Sequence, residues 1–383
     1  RGSWGLVGND ATNAGRFAYM EDLVLGGSDS YTTGIRQDTY YSGPSWNRYF
    51  NPDLTWEVGE KINLGLDLQL FNDFNLTFDI FREKRRDIFM TRENSIPEIV
   101  GTGETKITSN NGEMENKGLD LAIDYNKQIT KDFFLSFKST LTFARNKVLK
   151  MDESPYFEYP GLSDVGHPLG TYWGYVADGL FPDQETIDNS PRQDLGYTPQ
   201  PGDIKYVNQP NAKGEYDNVI NSNDRVAIGH PYDPELVYGF GPSMKWKNWD
   251  FSFFFQGVAR TSFMMYGMHP FGTTSIKNML QFVADDHWSV DNPNPNAAYP
   301  RLTKDSNGNN DQYSTYWLRN AAFLKLKNAE IGYTYKGMRF YLSGVNLLTF
   351  SPFKHWDPEM GGGNGLYYPT QRVFNIGFQM TIQ

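Results

Sequence analysis

The sequence predicts an all-β fold in which antiparallel strands form the wall of a transmembrane barrel, and three observations carry that prediction. Apolar and polar residues alternate over strand-length runs. The connections between runs alternate between very short and very long, and aromatic residues crowd the ends where the short connections lie. Alternation alone also fits a soluble sandwich, which buries one strand face and wets the other. The connections and the aromatic ends separate the two folds.

The alternation is plainest in the last residues, where Phe374, Ile376, Phe378, Met380 and Ile382 are interleaved with Asn375, Gly377, Gln379, Thr381 and Gln383. Upstream, Ile62, Leu64, Leu66, Leu68 and Leu70 alternate with Asn63, Gly65, Asp67 and Gln69. Leu119, Leu121, Ile123 and Tyr125 alternate with Asp120, Ala122, Asp124 and Asn126. The habit continues through Leu135, Phe137, Leu141 and Phe143, and again through Leu236, Tyr238, Phe240, Met244 and Trp246.

Short links are expected around 72–75, 128–132, 247–249 and 335–337, and long ones over 91–116, 151–234, 261–315 and 351–369. Short turns at one end and long loops at the other mark an outer-membrane barrel, with periplasmic turns and extracellular loops. A sandwich has no reason to segregate them. Phe71, Phe74, Phe133, Phe134, Trp246, Trp249, Tyr333 and Tyr335 gather at the short-turn ends, where a barrel needs its interfacial girdle. By parity the final strand runs toward the periplasm.

Composition agrees with a barrel. A mean hydropathy of -0.59 suits a wall in which only alternate residues meet lipid while lumen and loops stay polar. A net charge of -10 excludes a general nucleic-acid binder, which needs a basic face. With no cysteine there is neither a disulfide framework nor a thiolate metal site. Nine strands are expected after Thr55, and two or three before it beginning with Gly2–Val7. An open sheet of that size would leave unpaired backbone groups in hydrocarbon, so the chain is expected to be part of a larger barrel, without an internal domain boundary over 1–383.

A series of motifs runs the length of the chain. It opens with Gly2-Ser-Trp-Gly5 and Gly8-Asn-Asp10, then Asn51-Pro-Asp-Leu-Thr-Trp-Glu57 and Asn110-Asn-Gly-Glu-Met-Glu-Asn-Lys-Gly-Leu-Asp120. Gly166-His-Pro-Leu-Gly-Thr-Tyr-Trp-Gly-Tyr-Val-Ala-Asp-Gly-Leu-Phe181, Pro201-Gly-Asp-Ile-Lys-Tyr206 and Asp224-Arg-Val-Ala-Ile-Gly229 follow. Toward the end come Tyr299-Pro-Arg-Leu302, Phe323-Leu-Lys-Leu-Lys-Asn328, Gly344-Val-Asn-Leu-Leu-Thr-Phe-Ser351 and Asp357-Pro-Glu359. In this order they resemble the C-terminal half of the SusC/RagA family of TonB-dependent outer-membrane transporters. The resemblance implies roughly half of a barrel of about 22 strands. It also implies import of large nutrient oligomers, either glycan-derived oligosaccharides or oligopeptides, driven by the TonB complex and gated by a SusD-like surface lipoprotein. The plug and the TonB-contacting segment are not in this sequence. Outer-membrane lipid and lipopolysaccharide are expected around the wall.

Two stretches depart from the family pattern. Relatives often carry a calcium-loop-like Asp-x-Asn-Gly-Asp-Gly run after Pro-Gly-Asp-Ile, whereas 207–224 breaks the carboxylate spacing and adds Lys213, which favours a polar turn. The chain ends on Ile382 and Gln383, where such barrels usually end on an aromatic residue.

Nothing in the sequence marks an enzyme, a cofactor or a metal site. Hydrolase, metalloprotease and phosphate-loop motifs are missing, and His167, His230, His269, His287 and His355 lack metal-ligand spacing. Asp285-Asp286 reads as solvated charge, and Gly361-Gly-Gly-Asn-Gly365 as an extracellular loop that opens no helix. Arg82, Lys84, Arg85 and Arg86 sit where a strand leaves the bilayer, and fit either a solvated strand extension or contact with lipopolysaccharide or an anionic ligand. For substrate contact the candidates are Tyr172, Trp173, Tyr175, Trp288, Tyr299 and Trp317, with Asp178 and Arg301 as orienting groups. Flat rings with polar tips suit sugars and peptide side chains, and equally suit pinning long loops together. Two other functions fit a β-rich chain: a lid-free siderophore or cobalamin receptor, and a secreted carbohydrate-binding protein, which would need no detergent.

Overall fold

In a computed structural model, the structure describes residues 1–11, 17–26, 30–92, 94–100, 107–154, 158–266, 271–272, 275–276, 280–303 and 306–381. Ten strands form one antiparallel sheet in sequence order: β1 (Gly2–Asn9), β2 (Glu57–Leu70), β3 (Phe74–Thr91), β4 (Thr108–Thr130), β5 (Phe133–Lys150), β6 (Leu236–Trp246), β7 (Trp249–Ala259), β8 (Phe323–Tyr335), β9 (Met338–Phe350) and β10 (Val373–Met380). All nine strands expected after Thr55 are present. Before Thr55 only β1 joins the wall among the described residues. The pairs 22–24 with 45–48 and 30–33 with 39–42 build small separate sheets in the first long loop. Ile382 and Gln383 lie outside the described residues.

Strand register carries one apolar face across the whole sheet. Leu66 faces Phe78, Phe78 faces Leu121, Leu121 faces Leu141, and Leu141 faces Tyr238. Further round, Ile331 faces Leu342, which faces Ile376. Of these, Leu66, Ile331, Leu342 and Ile376 are exposed and Phe78, Leu121, Leu141 and Tyr238 half-buried, which in water would be a costly surface. In hydrocarbon they need no cover. On the other face, alternate positions carry Asp67, Asp79, Asp120, Asp124, Asp250 and Glu330 with Lys138 and Arg339, a polar lumen lining.

At one end the strands turn within two or three residues. Lys336 and Gly337 both take left-handed φ, as a two-residue hairpin needs to match strand twist. The aromatic girdle forms at this end: Trp246 faces Trp249, whose ring centroid lies 4.8 Å from that of Tyr333. At the other end all the long connections emerge. β4 begins eight residues before the end of the loop expected to reach Asn116, because Thr108 onward pairs with β3. Its twenty-three residues reach about 75 Å at ~3.3 Å each, far beyond the ~9–11 residues that span a bilayer. β3, β4 and β5 therefore project as a stalk above the membrane.

The only sizeable hydrophobic core among the described residues belongs to the loops. It joins Tyr175, Leu180, Ile204, Tyr206, Ile220 and Ile228 to Phe263, Met264, Met265, Val283, Trp288, Tyr299, Trp317 and Phe353. A folded domain thus sits at the barrel mouth.

Candidate functional site

The loop domain is held by polar clamps between segments far apart in sequence. Asp203, wholly buried, accepts from Arg301 Nε at 2.7 Å, from Asn310 Nδ2 at 2.9 Å, from Asn307 Nδ2 at 3.0 Å and from the Gln200 amide at 2.8 Å. Burial pulls the Arg301 guanidinium toward neutrality, yet the Asp203 hydrogen bond wins and holds it above its ordinary value. Gly202, at φ +88°, is needed beside it, because a Cβ there would meet the Trp288 ring at 2.2 Å. Tyr206 Oη donates to the Asn309 carbonyl at 2.8 Å, and Trp317 Nε1 donates to that of Asn310 at 2.7 Å.

These contacts place most of the sequence-derived candidates. Tyr175, Trp288, Tyr299 and Trp317 are buried within the loop core, and Arg301 is committed to Asp203 and to the Tyr197 hydroxyl at 2.8 Å. Trp173 is half-buried, donates from Nε1 to Asp164 at 2.7 Å and meets the His167 ring edge-on. Asp178 is exposed and accepts from Lys205 Nζ at 2.9 Å. Burial, with help from neighbouring phenols, pushes the half-buried Tyr172 hydroxyl up to about 12. In 207–224, Asp224 accepts from the Gln209 and Asn221 amides, both at 2.7 Å, and caps a short turn with Asn221. Among the described residues no three His, Asp or Glu side chains cluster as a metal site. His269 lies outside the described residues.

Four tyrosines from three of the long loops escaped sequence reasoning. Tyr232, Tyr266, Tyr313 and Tyr367 are between 48% and 58% exposed. A Cβ on Gly363 would lie 3.4 Å from the Tyr367 ring and 3.6 Å from Tyr266, and one on Gly361 would lie 3.5 Å from the Tyr232 hydroxyl. The glycine run is thus the floor beneath Tyr232, Tyr266 and Tyr367. Beside them is a cleft of about 150 Å³ whose lining includes Met265, Tyr266, Val283, Leu302, Tyr313 and Trp317, with Arg301 among its polar groups.

The family-model comparison decides the class. Residues 13–347 match the family described as TonB dependent receptor-like, beta-barrel. The chain belongs to this family. It is 28% identical over 404 residues to the TonB-dependent receptor SusC of Bacteroides thetaiotaomicron, covering 98% of this chain and 37% of that protein. It is 26% identical over 415 residues to the TonB-dependent receptor P3 of Formosa agariphila, covering 99% of this chain and 39% of that protein. Its fold matches a chain of the RagAB peptide transporter at a TM-score of 0.71 and 21% identity, covering 99% of this chain and 40% of that one. The chain spans about two fifths of the length of these relatives. The wall is thus that of a TonB-dependent receptor-like outer-membrane β-barrel, and the family consists of transporters rather than enzymes.

One exposed group at the edge of the loop core, His355, is placed to respond to pH. His355 sits among Phe282, Phe353 and Tyr299, with its Nε2 3.2 Å from the Tyr299 hydroxyl. Burial, then the Arg319 charge, lowers its pKa from 6.5. A depressed histidine favours the neutral ring in the folded state, so its stabilising share is full above about 6.5 and is lost as pH falls through the lower folded value. Tryptophan fluorescence should therefore report loosening around Trp317 and Trp356 on acidification. His355→Gln should flatten that response, and an unchanged response in the variant would assign it elsewhere.

Proposed function

We propose that this chain supplies ten wall strands and the extracellular loop domain of a SusC-like transporter. Its cargo is a large nutrient oligomer, a glycan-derived oligosaccharide or an oligopeptide, brought in under TonB power with a SusD-like surface lipoprotein closing the mouth. The observation that carries the reading is the segregation of the long loops into one folded domain above a polar lumen face. An edge-paired sheet of this kind has β1 and β10 with one neighbour each among the described residues, which fits a wall completed by further strands. Relatives that carry the names SusC and RagAB support the transporter class.

Within the site, the division of labour follows burial. Tyr175, Trp288, Tyr299, Trp317 and Arg301 shape the loop domain, while Tyr172, Trp173 and Asp178 lie nearer its surface. The exposed Tyr232, Tyr266, Tyr313 and Tyr367 extend that surface with rings that offer both a face and a hydroxyl.

Binding of glycan and peptide pools to the intact transporter with its lipoprotein tests the reading. One pool should be retained, and a tag on the transporter should bring the lipoprotein down. Tyr266→Ala with Tyr367→Ala should weaken retention about 5- to 30-fold, the effect of losing about 1–2 kcal/mol at a contact that matters. Recovery of a lone barrel in mild detergent, with neither pool retained, would turn the assignment toward a lid-free receptor.

A further inference from the structure

The lipid-facing side of the stalk carries a cation row that import does not explain. Register places Ile62 opposite Arg82, Arg82 opposite Lys117, and Lys117 opposite Arg145. The row immediately toward the membrane is wholly apolar: Leu64, Ile80, Leu119 and Phe143. The three cations therefore stand at the first polar level above the hydrocarbon, on the outward face.

Their carboxylate partners stand beside them and are less exposed, with Glu115 one row farther from the membrane. Arg82 and Lys117 share Glu115 at 2.6 and 3.6 Å, and Arg145 shares the buried Glu235 with Arg260 at 3.1 and 2.6 Å. The side chains of Arg82, Lys117 and Arg145 remain 56%, 66% and 52% exposed, against 13% for Glu115 and 4% for Glu235. Four cations thus meet two recessed carboxylates, which orient the positive groups outward and leave a surplus of charge. The surplus is local: at the long-loop end of β8 and β9 the outward positions are Leu324, Leu348 and Phe350. In a chain of net charge -10, a basic arc at one membrane level calls for an anion at that level.

We infer that this arc binds the phosphate groups of a phosphorylated glycolipid in the outer leaflet. Neighbouring strands lie ~4.8 Å apart, so the row spans about 10 Å, enough to seat a phosphate between adjacent cations. Guanidinium forks engage phosphate oxygens in pairs, and the Lys117 ammonium adds a compact charge between them. Clusters of this kind at a membrane surface recognise anionic headgroups.

The test uses the full-length transporter extracted from its own membrane in mild detergent, with bound glycolipid counted by native mass spectrometry. Wild type should retain phosphorylated glycolipid, and Arg82→Gln, Lys117→Gln and Arg145→Gln together should reduce it more than about tenfold. Lys61→Gln, Lys138→Gln and Lys245→Gln, which remove the same charge from the lumen face, should leave it bound. Enzymatic removal of the lipid phosphates should abolish retention by wild type, whereas millimolar inorganic phosphate should not displace the lipid. Equal retention by both triple variants, or equal retention of the dephosphorylated lipid, would overturn the assignment. Displacement by inorganic phosphate would mark a free-anion site instead. Should the outward triple fail to insert, Lys117→Gln against Lys138→Gln gives the same comparison, with equal lipid counts counting against the site.

Discussion

Leu66→Arg should cost about 2–4 kcal/mol of folding stability in a bilayer, while Asp67→Arg next to it should change stability by no more than about 1 kcal/mol. Leu66 lies midway along the apolar run Ile62–Leu70 of β2 and heads the row that continues through Phe78, Leu121 and Leu141, so an arginine there must place its charge in hydrocarbon or drag water inward. Asp67 points to the lumen. It accepts from the Thr77 hydroxyl at 3.0 Å and lies 3.5 Å from the Arg1 guanidinium, contacts that water readily replaces. Urea titration of the full-length barrel in lipid vesicles measures both variants. Equal losses would mean that the two faces of β2 are not lipid and lumen.

The wall was legible in the sequence because its signal is local. Period-two alternation and two-residue turns can be read from neighbours alone, and β6 to β10 begin or end close to where those cues put them. The upper part of β4 hid because Asn110-Asn-Gly-Glu113 is polar on both faces. What extends that strand is cross-strand charge, with Lys84 3.0 Å from Glu113 and Arg82 2.6 Å from Glu115, and such pairs show only once register is known. Two or three wall strands were expected before Thr55 and β1 alone joins the wall among the described residues, for a related reason: short β-prone runs such as 22–24 and 30–33 do not say which sheet they join.

The loop domain was legible only as a composition. Aromatic residues at Tyr175, Trp288, Tyr299 and Trp317 announced contacts of some kind, but residue type does not distinguish a ring that faces a ligand from one that faces another loop. Asp203 is more than 100 positions from Asn307 and Asn310, and no spacing rule predicts that clamp. The exposed tyrosines were harder still. Tyr232, Tyr266, Tyr313 and Tyr367 are single residues far apart in sequence, and only folding brings Tyr232, Tyr266 and Tyr367 around Gly361–Gly363 and Tyr313 into the cleft beside Tyr266.

Lys325→Met should detach the last long loop from the wall and cost about 3 kcal/mol, the low end of the ~3–5 kcal/mol for breaking a buried ion pair by removing one partner. Lys325 is wholly buried, and its Nζ donates to Asp357 at 2.6 Å and to Glu359 at 2.5 Å, while Lys327 reaches Glu359 at 3.1 Å. The carboxylates are 20% and 25% exposed, so water can partly repay each when the ammonium is gone, which sets the estimate at the low end. Methionine matches the aliphatic stem, and a loss therefore reports charge rather than volume. Asp357 also caps the turn Pro358–Met360 by accepting from the Glu359 amide at 3.0 Å, so the ion pair and the turn form as one unit. Adding Asp357→Asn and Glu359→Gln to Lys325→Met keeps the cap, removes the orphaned Asp357 charge and the Glu359 charge that Lys327 alone would hold, and should recover part of the loss. Protease cleavage within 351–372 of the full-length transporter provides the readout, rising in the single variant and falling back in the triple. Cleavage unchanged from wild type in Lys325→Met would mean that the loop is held by Phe353 and Trp356 packing instead.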